Sequence, residues 1–183
     1  MEKGNAQSLA LSGVGRSVGS TEAANATGVY TATCYDAQGN LKWTDTYTNL
    51  VTTAGKNDLL DKYLAGSAYT AAWYLGLISL TSYTTGPAVT DTAATHTGWA
   101  EDQGYSNATR VAPSFGAASA GSKASTATAF SINATTTIKG TFLTTLNTKG
   151  GTTGILYSAG LFTGGDKAVA SGDTLNVTYT ASV

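Results

Sequence analysis

The sequence predicts an all-β protein: an antiparallel β-sandwich or jelly-roll-like domain with one short helix, at about residues 54–65, and an extended N-terminal arm. Three observations lead there. Threonine fills 33 of the 183 positions, and its β-branched side chain is stiff at χ1 and suits a pleated surface. Charged residues make up 11% of the chain, against about 25% in an ordinary globular domain. Short apolar segments recur between Gly- and Asp-containing turns, with no alternation of strands and long helices, the rhythm of an antiparallel sandwich rather than a parallel sheet.

The expected division is an arm over residues 1–27 and one β-rich domain over 28–183. In the arm, Leu9, Leu11 and Val14 are the sizeable apolar groups on a Gly/Ser/Ala background. Alone, such a segment buries too little surface to offset its ordering entropy. Two readings stand: a tail without fixed structure, or an arm that becomes ordered against a neighbouring subunit.

Val29 to Tyr35 reads as a strand with Tyr30, Ala32 and Cys34 on one face. Asp36-Ala37-Gln38-Gly39-Asn40 is a tight-turn signal, because Asp bonds its own backbone and Gly accepts positive φ. Leu41 to Thr48 returns, placing Leu41, Trp43 and Tyr47 on one face. Thr52 or Thr53 caps a helix from Ala54 to Ala65. Leu59, Leu60, Tyr63 and Leu64 form its apolar stripe, with Asp58 and Lys62 on the side expected to face water. Ala71 to Leu80 is a continuous apolar run, a strand covered on both faces.

The polar stretch Thr81–Gly104 is too long for a plain connector and is expected to be functional or contact-making. Further strands are expected at Ser106–Ala112, Ser125–Ile132, Thr136–Thr145, Ile155–Phe162 and Thr174–Thr180. The last alternates Leu175, Val177 and Tyr179 with Asn176, Thr178 and Thr180, one buried and one exposed face.

Composition excludes several function classes. The ten Lys and Arg are scattered and the net charge is −1, so phosphate neutralisation of a nucleic acid is not expected. No run of 18 apolar residues exists, so no spanning helix and no membrane role are expected. The first residues lack the charged and apolar regions of a signal peptide; folding in a cytoplasm follows as an expectation, with the four Asn-x-Thr sequons as products of a Thr-rich composition. Cys34 is the lone cysteine, which leaves no intrachain disulfide and points to a buried, inert thiol.

His96 with Asp91, Glu101 and Asp102 nearby could in principle supply a triad or a metal cluster, but no catalytic or ligand spacing surrounds them. No HExxH, GxSxG or phosphate-cradling loop occurs. The eleven acidic residues offer carboxylate pairs for glycoside cleavage, yet Trp43 and Trp73 lie in core-like patterns rather than on a sugar platform. The expectation is a protein without catalytic residues, cofactor or metal. Trp99 and Tyr105, flanking the acidic pair of the long loop, are the aromatics assigned to a protein contact, since interface cores favour aromatics over charge. The alternative is that both fold back on their own domain.

Several segments carry a resemblance. Asn49-Leu50-Val51 followed by Ala54-Gly55-Lys56-Asn57-Asp58-Leu59-Leu60-Asp61 resembles the "NLV…AGxNxLLD" opening of a family of small tailed-bacteriophage virion structural proteins. Ala72-Trp73-Tyr74-Leu75-Gly76-Leu77-Ile78 resembles their "WYxGLI" strand. Asp91-Thr92-Ala93-Ala94 with Gly98-Trp99 resembles "DTxxxHxGW", and Tyr105-Ser106-Asn107-Ala108-Thr109-Arg110 resembles "AYSEATRP", with Val111 in place of the proline. Thr141-Phe142-Leu143, Lys149-Gly150-Gly151-Thr152-Thr153-Gly154 and Ser171-Gly172-Asp173-Thr174-Leu175 follow in order. The similarity spans about residues 28–183 and stops short of the arm.

The resemblance implies a non-enzymatic head decoration (cement) protein. It would be made in the host bacterial cytoplasm, bind the major capsid protein on the capsid surface of the virion, and act as a homo-oligomer, a trimer being one form. Two other readings are a tail, fibre or host-receptor-binding component and a polysaccharide-cleaving enzyme.

Overall fold

The computed structural model describes residues 25–64 and 72–183. The first two strands, β1 (Thr27–Tyr35) and β2 (Leu41–Thr48), form the expected hairpin. Asp36 Oδ1 closes its turn by accepting from the backbone N–H of Gln38 at 2.9 Å and of Asn40 at 2.8 Å. Gly39 takes φ +85°, a conformation that glycine reaches without a Cβ clash. The register shifts at Cys34/Tyr35, and Leu41, expected on the inner face with Trp43 and Tyr47, is instead 62% exposed.

The strand β11 (Thr174–Ser182) pairs with β1 along its whole length, Tyr30 opposite Tyr179 and Cys34 opposite Leu175. On its far side β11 takes two short strands, β7 (Thr128–Ser131) and β6 (Ser122–Ala124). The second sheet runs in the order β3 (Leu50–Val51), β9 (Leu156–Leu161), β8 (Thr136–Thr144), β4 (Tyr74–Ser79) and β5 (Glu101–Asp102), with β10 (Lys167–Val169) also on β8. All pairings are antiparallel. The fold is therefore an all-β sandwich, with α1 (Thr53–Leu64) as the one helix among the described residues.

The inner faces of both sheets share one core. Tyr30, Ala32, Cys34, Leu175, Val177 and Tyr179 come from the first sheet, and Leu75, Leu77, Ile138, Leu143 and Tyr157 from the second. Buried tyrosines bring hydroxyls that need partners. Tyr30 Oη pairs with Ser158 Oγ at 2.7 Å, and Tyr47 Oη with Thr141 Oγ1 at 2.9 Å. Burial pushes both phenols well above their ordinary range.

Most of the stretch 81–104, up to β5, is a third layer. It lies over the outer face of the second sheet, where Ala93 and Trp99 pack on Ile78, Phe142, Leu156 and Ala159. This is why β4 is buried on both faces. The expected strand over Ser106–Ala112 does not form: Tyr105 and Val111 make isolated bridges to Ile132 and Leu75. Between them Arg110 turns inward to a carboxylate, which breaks the extended pairing.

Helix α1 sits where expected but is rotated. Thr52, fully buried, donates its hydroxyl to Leu156 O and accepts the Gly55 N–H at 3.0 Å, capping the helix. Gly55 then lies against β9: a Cβ there would stand 2.5 Å from Tyr157 O. That contact fixes which face looks inward. Asp58 and Lys62, three and seven positions on, share the Gly55 face and are half-buried. The apolar stripe is turned outward, with Leu60 51%, Tyr63 85% and Leu64 73% exposed. No described helix is long and apolar enough to cross a membrane.

Candidate functional site

Two regions warrant a functional reading, one polar and one apolar. The polar one is a cavity of about 220 Å³ bordered by His96, Trp99, Glu101, Gln103, Arg110 and the Gly150-Gly151 turn. Strand β5 delivers Glu101 to it. Arg110 meets Glu101 in a bidentate pair, Nε to Oε1 at 3.0 Å and Nη2 to Oε2 at 2.9 Å, with both side chains 5% exposed. Glu101 also accepts the Tyr105 hydroxyl at 3.3 Å and the Gly150 N–H at 2.5 Å. Arg110 spends its remaining reach on the carbonyls of Leu146 at 3.0 Å and Gly151 at 3.2 Å. Its guanidinium stands 5.1 Å from the centre of the Phe142 ring.

The four donors occupy both oxygens of Glu101, so the carboxylate has no orientation left for a substrate. The neighbouring carboxylates are equally committed. Asp102 accepts from Gly104 N, Thr136 Oγ1 and Ser79 Oγ. Asp91 accepts from Trp99 Nε1 at 2.8 Å and from Ala88 N at 3.0 Å. His96 donates from Nδ1 to Trp99 O at 3.0 Å, and its ring stacks at 4.1 Å on the Trp99 ring. Among the described residues no group of three or more His, Cys, Asp or Glu side chains is placed to hold a metal.

The arrangement is a clamp. It ties β5, the Arg110 turn and the 147–151 turn into one unit. Lys149 completes it, donating to Tyr105 O at 2.6 Å with its ammonium 3.8 Å above the Tyr105 ring. Burial lowers the Lys149 ammonium while Glu101 pulls it back up. Burial, then the Glu101 charge, raises the Tyr105 phenol.

The loop aromatics assigned to a contact are spent inside this unit. Trp99 is 5% exposed and Tyr105 1%. Trp99 packs on Phe142 and Tyr105 on Phe130. Both fold back on their own domain, because each needs a partner for its polar tip and finds a carboxylate there. Leu9, Leu11 and Val14 lie outside the described residues. Cys34 is buried as expected and free of any disulfide; burial, with Asp173 beside it, pushes its thiol up to about 12.

The apolar region is one that sequence reasoning passed over. Helix α1 shows Leu60, Tyr63 and Leu64 to solvent, and beside it lies a groove lined by Tyr63, Trp73, Phe115, Tyr157, Tyr179 and others. A signal was present in the sequence: a glycine inside the helix, at Gly55, marks the face of closest approach, and the stripe stands off that face. A scan against models of known protein families and a search of curated proteins both give no match.

Proposed function

We propose that this chain is a non-enzymatic structural protein of a bacteriophage particle, most specifically a head decoration protein that binds the outer face of the capsid shell. The observation that carries the reading is the outward apolar stripe of α1. A contiguous apolar surface on a charge-poor protein marks a place where another protein docks. The buried carboxylates and the guanidinium support the same reading, since Asp45, Asp91, Glu101, Asp102, Asp173 and Arg110 all hold the fold together. The virion assignment itself rests on the ordered motif resemblance described above.

In this role the α1 stripe and the hydroxyl-rich sheet faces cover junctions between major capsid subunits, and the arm that precedes Ala26 contacts a neighbouring subunit. Each contact made only in the assembled shell stabilises it by mass action. Immunogold labelling of particles produced from the genome that encodes this chain tests the proposal. Gold over heads supports decoration. Gold over tails moves the protein to a fibre or receptor-binding role, and particles without label remove the virion role.

A further inference from the structure

The cavity beside the Glu101–Arg110 clamp is a small recess of about 220 Å³, and its lining consists throughout of described residues. Pockets for drug-sized ligands run to about 300–1,000 Å³, so this one takes a smaller group. Ala93, Phe142 and Leu156 form its apolar wall. All three are buried, so they offer a narrow apolar floor rather than a broad stacking face. His96, Gln103 and Thr152 form a rim that reaches solvent. Gly150 leaves room for Gln103 to lie over its turn: a Cβ there would stand 2.9 Å from Gln103 Nε2.

Two polar groups of this lining are incompletely used. Arg110 carries five N–H groups. Nε and Nη2 serve Glu101, Nη2 also serves Gly151 O, and Nη1 serves Leu146 O. One N–H of Nη1 is left without an acceptor among the described residues, on a side chain only 5% exposed. His96 offers the complement. Trp99 O can only accept, so Nδ1 carries the proton and Nε2 presents a bare lone pair, again without a partner among the described residues. A buried donor left unbonded costs free energy, which a ligand carbonyl recovers. Glu101 cancels the charge of Arg110, so the pair gives the recess no preference for an anion over a neutral ligand.

An acetamido group has the matching chemistry: one acceptor, one donor and one methyl. We propose that this recess binds the acetamido group of an N-acetylated amino sugar. The methyl lies against Ala93, Phe142 and Leu156, the carbonyl accepts from Arg110 Nη1, and the amide N–H donates to His96 Nε2. The sugar ring stays at the rim, where the Gln103 amide and the Thr152 hydroxyl meet its hydroxyls. Asp91, Glu101 and Asp102 are engaged within the fold, so the sugar is held and not cleaved. The site does not rest on the virion role, and failure of particle binding leaves it untouched.

Titration of the isotope-labelled full-length chain, followed by amide and indole NMR shifts, tests it with three probes. N-acetyl-D-glucosamine should shift the signals of His96, Trp99, Gln103 and Thr152 with a dissociation constant on the order of millimolar, the range for a ligand of that size. D-glucose, which carries a hydroxyl in place of the acetamido group, should leave them unmoved. N-methylacetamide, an amide without a sugar ring, should bind at least about tenfold more weakly. His96→Phe keeps an aromatic ring beside Trp99 and removes the acceptor, and should weaken N-acetyl-D-glucosamine at least about tenfold. No shift with N-acetyl-D-glucosamine overturns the proposal, and so do equal shifts with D-glucose. Equal affinity for N-methylacetamide overturns it in favour of a peptide amide. The three wild-type titrations decide even where His96→Phe disturbs the loop.

Discussion

Removing Arg110 is the sharpest test of the clamp. Arg110→Met keeps much of the side-chain length and deletes the cation, leaving Glu101 buried with its charge uncompensated. Two charge-assisted hydrogen bonds to Glu101 disappear, and the carbonyls of Leu146 and Gly151 lose their donor. Breaking a buried ion pair from one side costs about 3–5 kcal/mol. In a protein of this size each kcal/mol moves Tm by about 2–4 °C, so the expected fall is roughly 6–20 °C. Thermal unfolding measures that fall and urea unfolding followed by fluorescence measures the free-energy loss, with an unchanged m-value tying it to native-state stability. Glu101→Gln and the double variant complete a cycle, in which the two changes together cost less than their sum. A loss for Arg110→Met below about 1 kcal/mol, the value of an exposed surface pair, would refute the argument that this cluster holds the loops.

Three further outcomes follow from local geometry. Gly55→Ala improves helix propensity by about 1 kcal/mol, yet it should lower Tm, because the new methyl meets Tyr157 O and Tyr157 Cα; a rise in Tm would mean that α1 does not touch β9. Burial works against the Asp45 and Asp173 carboxylates. Hydrogen bonds from Thr163, Gly164 and Lys167 to Asp45, and from Lys42 and Ala170 to Asp173, nonetheless hold both below the usual range. Unfolded, they titrate near about 3.9, so the unfolded chain binds more protons in acid; the stabilisation is present above about pH 4 and lost as pH falls below it. Urea midpoints between pH 7 and pH 2 should show that slope, and Asp45→Asn with Asp173→Asn should flatten it. Cys34, with its thiol pushed up to about 12 by burial and Asp173, should resist Ellman's reagent at pH 8 until urea unfolds the chain; labelling in native buffer at the rate of a free thiol would contradict its burial.

Where a segment's own residues decide its structure, the sequence was readable. Asp36 and Gly39 define the β1–β2 turn from within it. Leu175, Val177 and Tyr179 mark the inner face of β11 by simple alternation, and all three are buried as expected. Legibility fails where a partner decides. Strands β3, β5, β6 and β10 have two or three residues each, and they exist only because a longer strand lies alongside. The rotation of α1 depends on Gly55 meeting Tyr157, a contact between residues 102 positions apart. Glu101 and Arg110 stand nine apart, which suggests nothing until the 147–151 turn closes around them. The aromatic content of the long loop was visible; its inward direction was not, because nothing in the sequence pairs Asp91 with Trp99 or Glu101 with Tyr105.

The pairing of β1 with β11 has a consequence for how the protein is made. Tyr35 lies opposite Thr174, so the two paired residues are 139 positions apart in the chain. At ribosomal rates of about 5–20 residues per second, the N-terminal hairpin waits roughly 7–28 s for the strand that covers its open edge. During that interval β1 offers unpaired N–H and C=O groups along nine residues, a template for another nascent chain on the same message. Hydroxyl pairs such as Thr31 with Thr46 and Thr33 with Thr44 line its outer face, which keeps the waiting ribbon wettable on one side. Slower translation over residues 128–174 lengthens this vulnerable stage. Chaperone demand and inclusion-body yield should therefore follow the speed of synthesis more closely than the stability of the finished fold.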